Sequence, residues 1–237
     1  MKRSHDAFYA NEDKAAPVKD SFKMIARNIE GFFVDSGNGV TIGDIGCATG
    51  MLPGYLKSIF PNAEVIGFEY LDELLSVARA DFPDLEFRKM DVTDEKSIPV
   101  HSLDVITMCG VLCIFDDAER IIQNMLQWAR PGGRILIFNM FNPFDIDVFV
   151  KYRHSGDAET TELESGWNIV SQSSVSNILR RKGIENFSFT EFEISVDIEP
   201  RREDVLRSWT EKAETGNRFI VNALHLRQPF FLLEINV

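Results

Sequence analysis

The sequence predicts an α/β fold, a three-layer αβα sandwich built on a largely parallel sheet. Three observations carry the prediction. Short apolar runs alternate with longer amphipathic ones from residue 40 onward, a glycine-rich turn follows the first run, and Pro131-Gly132-Gly133 introduces the fifth. Alternation at this pitch makes parallel βαβ units with right-handed crossovers, whose helices cover the sheet.

VTIGDI (40–45) is the first strand, and GCATG leads from it into MLPGYLKSIFP, where Leu52, Leu56, Ile59 and Phe60 recur at helical spacing. AEVIGFE (63–69) is the second strand. LDELLSVARADFP follows as a helix with Leu71, Leu74, Leu75 and Ala78 on one face, and LEFRKMDV (85–92) is the third strand. SLDVITMCGVLCIF (102–115) holds a fourth, apolar almost throughout, as a strand buried on both faces should be. DDAERIIQNMLQWARPGG reads as a helix with acids in its first turn and a Pro-Gly-Gly stop, before the fifth strand RILIFNMF (134–141).

After Phe141 the rhythm changes. Residues 142–170 mix aromatics, Asp and Gly, with an acidic run from Asp157 to Glu164, and read as a cap segment or long loop. Phe141, Phe144 and Phe149 straddle its entrance as an apolar lid. SQSSVSNILRRKG (171–183) reads as a helix with serine N-caps and a glycine stop, and FSFTEFEISVDI (187–198) as a strand. Around the turn at 215–217 the arms read as a hairpin, with a helix over RREDVLRSWTEKAE as the alternative; PFFLLEINV closes the chain as a strand. The whole of 1–237 reads as one domain, with 38–141 binding a cofactor and 142–170 and about 206–225 forming substrate-side cap elements.

Composition bounds the partners. Of 237 residues, 44% are hydrophobic and 26% charged, enough to build a core. The balance of 25 basic against 37 acidic residues, −12, argues against a phosphate backbone as partner and for a small-molecule substrate. Cys47, Cys109 and Cys113 are an odd number in apolar runs, which suggests reduced thiols and packing rather than a disulfide framework or metal site. The N-terminal residues lack a secretory apolar run, and no run approaches the roughly 18 residues needed to span a bilayer, so the expectation is a cytoplasmic protein without membrane contact. Nothing in the sequence bears on its oligomeric state.

Asp44-Ile45-Gly46-Cys47-Ala48-Thr49-Gly50 sits where the first strand meets its helix, the place where doubly wound sheets bind ligands. Glycine allows a tight turn and close backbone approach, and free N–H groups at the helix start meet anionic groups. A dinucleotide fingerprint needs G-x-G-x-x-G, which this stretch lacks. Asp44 would repel a pyrophosphate and favour an ammonium, so an amino-acid-bearing nucleoside suits the turn better than NAD.

The pattern resembles the class I S-adenosylmethionine-dependent methyltransferases, Rossmann-like enzymes, over roughly 38–141. Their D-x-G-x-G-x-G matches D-I-G-C-A-T-G with Ala48 in place of the middle glycine, and ARPGGRILI matches their turn into the fifth strand. The resemblance implies a seven-stranded sheet whose last strand is antiparallel and lies beside the fifth. It implies that Asp44, Gly46, Cys47, Ala48 and Gly50 wrap the methionine moiety of S-adenosyl-L-methionine. Glu69, with Tyr70 beside it, would accept the ribose hydroxyls, since a carboxylate has two oxygens for a vicinal diol. Asp91 would meet the adenine amino group with Val92 on the ring, and Cys109 and Gly110 would floor the cofactor. The implied reaction is transfer of a methyl group by in-line displacement, leaving S-adenosyl-L-homocysteine, to a small acceptor such as a sugar or another metabolite.

That chemistry needs alignment and exclusion of water, and a general base only when the acceptor arrives protonated. His154 is the candidate base, because imidazole titrates near neutrality. His101 precedes the fourth strand, on the wrong edge of the sheet; His225 lies near the hairpin, and His5 in a terminus of a kind that is often mobile. Tyr9, with Phe8, would close over the cofactor. Phe144, Tyr152, Trp167 and Asn168 would form a substrate wall. Alternatives on the same scaffold are a nicotinamide-dependent oxidoreductase, transfer of an aminopropyl group, and a non-catalytic binding partner.

Overall fold

A computed structural model describes residues 4–11, 17–36, 39–156 and 162–237. After a 3-10 turn at Ser4–Asn11, α1 (Asp20–Ser36) buries Phe22, Ile25, Ala26 and Ile29, a stripe at helical spacing. Then come β1 (Thr41–Ile45), α2 (Met51–Ile59), β2 (Glu64–Glu69), α3 (Asp72–Asp81), β3 (Glu86–Lys89), β4 (Leu103–Cys109), α4 (Ala118–Trp128) and β5 (Ala129–Asn142). The C-terminal half adds β6 (Lys151–Tyr152), β7 (Glu164–Ser165), β8 (Val170–Ser171), α5 (Gln172–Arg181), β9 (Phe187–Glu191), β10 (Trp209–Lys212), β11 (Arg218–Val221) and β12 (Phe230–Asn236).

The central sheet runs β3-β2-β1-β4-β5-β12-β9, with the two-residue β8 pairing beside the end of β5. β12 runs antiparallel to both its neighbours, while the other strands run parallel. The strand order reverses between β1 and β4, which opens a crevice above their carboxyl ends. Successive residues on β4 and β5 feed two cores. Ile106, Met108, Ile135 and Ile137 face Met125 and Trp128 of α4, whereas Val105 and Leu136 face Ile25 and Ile29 of α1 and Leu56 of α2.

Several expected elements are shorter than their apolar runs. β3 covers only Glu86–Lys89. β4 ends at Cys109 because Gly110 takes φ 72, and the rest of that run becomes a 3-10 turn, Leu112–Ile114, tied to β5 where the Cys113 amide donates to Asn139 Oδ1 at 3.1 Å. β9 stops at Glu191, which pairs with Phe231 near the start of β12; beyond it the partner strand runs out. β5, by contrast, begins at Ala129, since Pro131-Gly132-Gly133 continues the strand and the Gly132 amide donates to the Val237 carbonyl at 2.8 Å.

Over 206–225 the hairpin is formed by β10 and β11, a two-stranded ladder separate from the central sheet. Ser171 caps α5 by accepting from the Ser174 amide at 3.0 Å, and Gly183 takes φ 78 after it. The 142–170 segment holds the small β6–β7 ladder and a Val148–Ile169 bridge, while part of its acidic run, 157–161, lies outside the described residues. Phe141 is fully buried in the core rather than at a lid entrance.

Candidate active site

A cavity of about 290 Å³ opens over the carboxyl ends of β1, β2 and β4. Its floor is the turn after β1. Gly46 (φ 73), Ala48 (φ 49) and Gly50 (φ 82) all take left-handed backbone, and the Gly46 and Cys47 amides donate to the Phe68 carbonyl at 2.8 and 3.0 Å. A Cβ on Gly46 would lie 2.5 Å from Val111 Cγ2, so the turn and the segment after β4 fit only because that position is bare. Ala48 stands in the left-handed region that favours glycine, which is the physical reason a glycine suits this place in the pattern.

Glu69, at the end of β2, ties this turn down. Its Oε2 accepts from the Ala48 amide at 2.9 Å, and its Oε1 from the Tyr70 and Leu71 amides at 2.8 and 2.9 Å. These bonds occupy three of the carboxylate's roughly four acceptor positions and leave capacity on Oε2. Burial raises the Glu69 carboxyl above its ordinary range, and the three amides pull against that rise.

Asp44 is 2% exposed. Burial pushes its carboxyl up to about 7; the Thr107 hydroxyl, donating at 2.7 Å, pulls it down, and the Glu69 charge adds to the rise. The wall thus holds a carboxylate whose ionisation calls for a cationic ligand group. Burial would likewise raise Asp91, but the Thr93 hydroxyl and amide, donating to its Oδ1 at 2.7 and 2.9 Å, bring it below the usual range and leave Oδ2 for a ligand. Burial raises the Cys47 thiol far above its ordinary value, so it is not a nucleophile near neutrality.

Of the positions singled out in the sequence, Asp44, Gly46, Cys47, Ala48, Glu69, Tyr70, Asp91, Val92, Cys109 and Gly110 line this cavity. Gly50 does not. It supports the turn from behind, where a Cβ would meet Phe87 Cζ at 2.7 Å. Tyr9 lines the cavity too.

The other expected substrate residues do not reach it. Phe144 is 73% exposed and does not line the cavity. Tyr152 and Trp167 are buried against each other, centroids 5.6 Å apart. Asn168 is a structural bracket, accepting from the Val150 amide at 2.8 Å and donating to the Phe115 carbonyl at 3.0 Å. His154 is an exposed loop residue against Tyr152, off the cavity wall. His101 hydrogen-bonds the Ala129 carbonyl at the opposite end of β4.

The sequence reading missed Asp6, Lys19 and Phe22, which line the cavity from the N-terminal segment. They sit in no motif. Only Phe8 and Tyr9, ahead of the first strand, hinted at a covering segment. Val111, Ile114 and Phe115 complete an apolar flank, and among the described residues none beyond Phe115 lines the cavity.

Residues 43–137, which carry this turn and all three cavity-facing strand ends, match the family model described as a methyltransferase domain. The match falls on the stretch that carries the chain's resemblance to the class I S-adenosylmethionine-dependent methyltransferases. The chain is 24% identical over 177 residues to malonyl-[acyl-carrier protein] O-methyltransferase 2 of Ilyobacter polytropus, covering 73% of this chain and 67% of that one. It is 29% identical over 97 residues to trans-aconitate 2-methyltransferase of an Azoarcus species, covering 41% and 38% of the two chains. Among solved structures, the YcgJ protein of Bacillus subtilis shares its fold with a TM-score of 0.60 at 12% identity, over 92% of this chain and 98% of that one. The chain spans 67%, 63% and 53% of the length of three curated relatives it matches. Among the described residues, no helix is long and apolar enough to cross a membrane, and no cluster of side chains is arranged to hold a metal ion.

Proposed function

We propose that this chain transfers the methyl group of S-adenosyl-L-methionine to a small-molecule acceptor that carries an acidic group. The observation that supports the cofactor half most strongly is the graded set of carboxylates along one wall. Asp44 suits an ammonium, Glu69 keeps acceptor capacity on Oε2 for a ribose hydroxyl, and Asp91 keeps Oδ2 for an adenine amino group. Val92 and Leu71 offer apolar faces for the adenine ring. The bare backbone of Gly46 and Gly110 lets a ligand lie against the strand ends. Bound there, the cofactor supplies a sulfonium-activated methyl group, and this chain's task is to hold the acceptor in line and keep water out.

The acceptor reading rests on what else lines the wall. Asp6 belongs with the acidic side, since its charge acts on Glu69. Lys19, just before α1, is the basic side chain among the described lining residues, with its Nζ 5.2 Å from the centroid of the Phe22 ring. No described histidine lines the cavity. An acceptor atom that arrives already deprotonated, such as a carboxylate oxygen, needs no base and gains from Lys19. Two relatives, named for malonyl-[acyl-carrier protein] and trans-aconitate, fit an acidic acceptor better than a neutral sugar.

The test is a screen of metabolite fractions with methyl-labelled cofactor, separated by charge. Label is expected in the anionic fraction, with at least tenfold less transfer by the Lys19→Ala variant. Label confined to neutral sugars would refute the acidic-acceptor reading while leaving the cofactor reading intact.

A further inference from the structure

Among the described residues none of the cap lines the cavity, yet the cap grips the segment that closes it. The Ser4–Asn11 turn places Asp6 and Tyr9 on the cavity wall, and it packs against α3. His5, immediately before Asp6 in sequence, is 4% exposed. Its ring centroid lies 5.1 Å from that of Trp167 and 5.3 Å from that of Tyr9, both edge-on. Its Nδ1 lies 3.0 Å from Asp204 Oδ1, and both side chains are only 5% exposed.

The far side of this contact is well braced. Asp204 Oδ1 accepts from the Arg207 amide at 3.2 Å, and the Asn222 side chain, fully buried, donates to the Leu206 carbonyl at 3.0 Å. Trp167 is held at φ 60, a backbone seldom adopted by a bulky residue, by packing against Tyr152 and by its neighbour Asn168 on Phe115 and Val150. The Ser4–Asn11 turn itself is a single short 3-10 element, a kind with little stability of its own. Its position is therefore set by what holds it.

We propose that His5 and Asp204 form a clasp through which the cap positions Tyr9 and Asp6 over the cofactor cavity, making both clasp residues positioning residues for cofactor retention. This rests on the cofactor reading above. Two sequence-distant cap segments, at Trp167 and Asp204, then act on the cavity without touching ligand. Such an arrangement places substrate-side variation within reach of cofactor affinity.

The test is a double-mutant cycle read by calorimetry with S-adenosylhomocysteine, at a temperature where circular dichroism finds every variant folded. Asp204→Ala and His5→Ala are each expected to weaken binding about tenfold, and the pair together no more than the weaker single variant. Tyr9→Ala should cost about fivefold in the wild-type background and nothing further in the Asp204→Ala background, a coupling that general loss of stability does not produce. Unchanged affinity in the single variants, or additive losses with Tyr9→Ala, would overturn the clasp. Should wild-type protein fail to bind S-adenosylhomocysteine, the cofactor reading fails, and Trp167 emission then decides the clasp. Measured as the difference from Trp167→Phe, that emission should shift on Asp204→Ala, because His5 leaves the indole; no shift would overturn it.

Discussion

At the strand ends the cavity wall is backbone and short carboxylates, locked by ladders on either side. Asp44 sits on β1 between β2 and β4, and Glu69 accepts from three amides within its own neighbourhood. Across the cavity the covering segment is held by side chains from places far apart in sequence, His5 with Asp204 and Trp167. The first kind of wall is set by local sequence and barely adjusts. The second is set by tertiary contacts and can vary while the first stays constant. A scaffold that binds one cofactor and meets many acceptors needs both kinds.

Breaking the rigid wall should have the largest effect. Asp44→Asn removes the charge that a ligand ammonium would meet, and S-adenosylhomocysteine affinity is expected to fall at least a hundredfold by calorimetry. The same variant should melt higher than wild type at pH 8. The Asp44 carboxyl is raised from 3.8 to about 7, so the native state holds the extra proton between those values. Stability from this group is full below the lower value and lost as pH rises through the upper one, and the neutral amide escapes that loss.

The same ionisation gives the next effect. An ammonium ligand favours ionised Asp44, so affinity for S-adenosylhomocysteine should rise about tenfold from pH 6 to pH 8 and then level off. Titration in buffers of different ionisation enthalpy should find proton release on binding near pH 7. A flat profile would mean that Asp44 does not face the charged end of the ligand.

Breaking the side-chain-built region should give the opposite signature. Asn168→Ala removes a 4%-exposed amide that brackets Val150, Phe115 and Asp116, and should cost about 3 kcal/mol in chemical denaturation. Cofactor affinity measured on folded protein should fall far less than with Asp44→Asn. The smallest effect sharpens the comparison. Ala48→Gly relieves a left-handed alanine in the rigid turn and should stabilise the protein by about 1 kcal/mol without weakening the ligand.

The same contrast explains what could be read from sequence. The β1–β5 half was legible because its signals are local. Apolar runs mark buried parallel strands, Gly46 and Gly50 mark positive φ, and the acids at 44, 69 and 91 stand at strand ends, where the fold must bring them together. Cys109 and Gly110 were placed there by the resemblance alone. Phe144, Tyr152, Trp167 and Asn168 were not legible as to role, because residue type says that a side chain packs or bonds but not against what. Trp167 meets a histidine 162 positions away in sequence, a pairing with no periodicity behind it. Lys19 and Asp6 escaped for the same reason: each enters the cavity from a segment whose only link to it is tertiary.

The central proposal is that Glu69, which ends β2 and holds the glycine turn, takes a cofactor ribose. Calorimetry of wild type and Glu69→Ala with S-adenosylhomocysteine, with NAD as control, tests it most directly. One site for S-adenosylhomocysteine, no heat with NAD, and at least a thirtyfold loss in the folded variant are predicted. Equal affinity in wild type and variant, or binding of NAD alone, would contradict it.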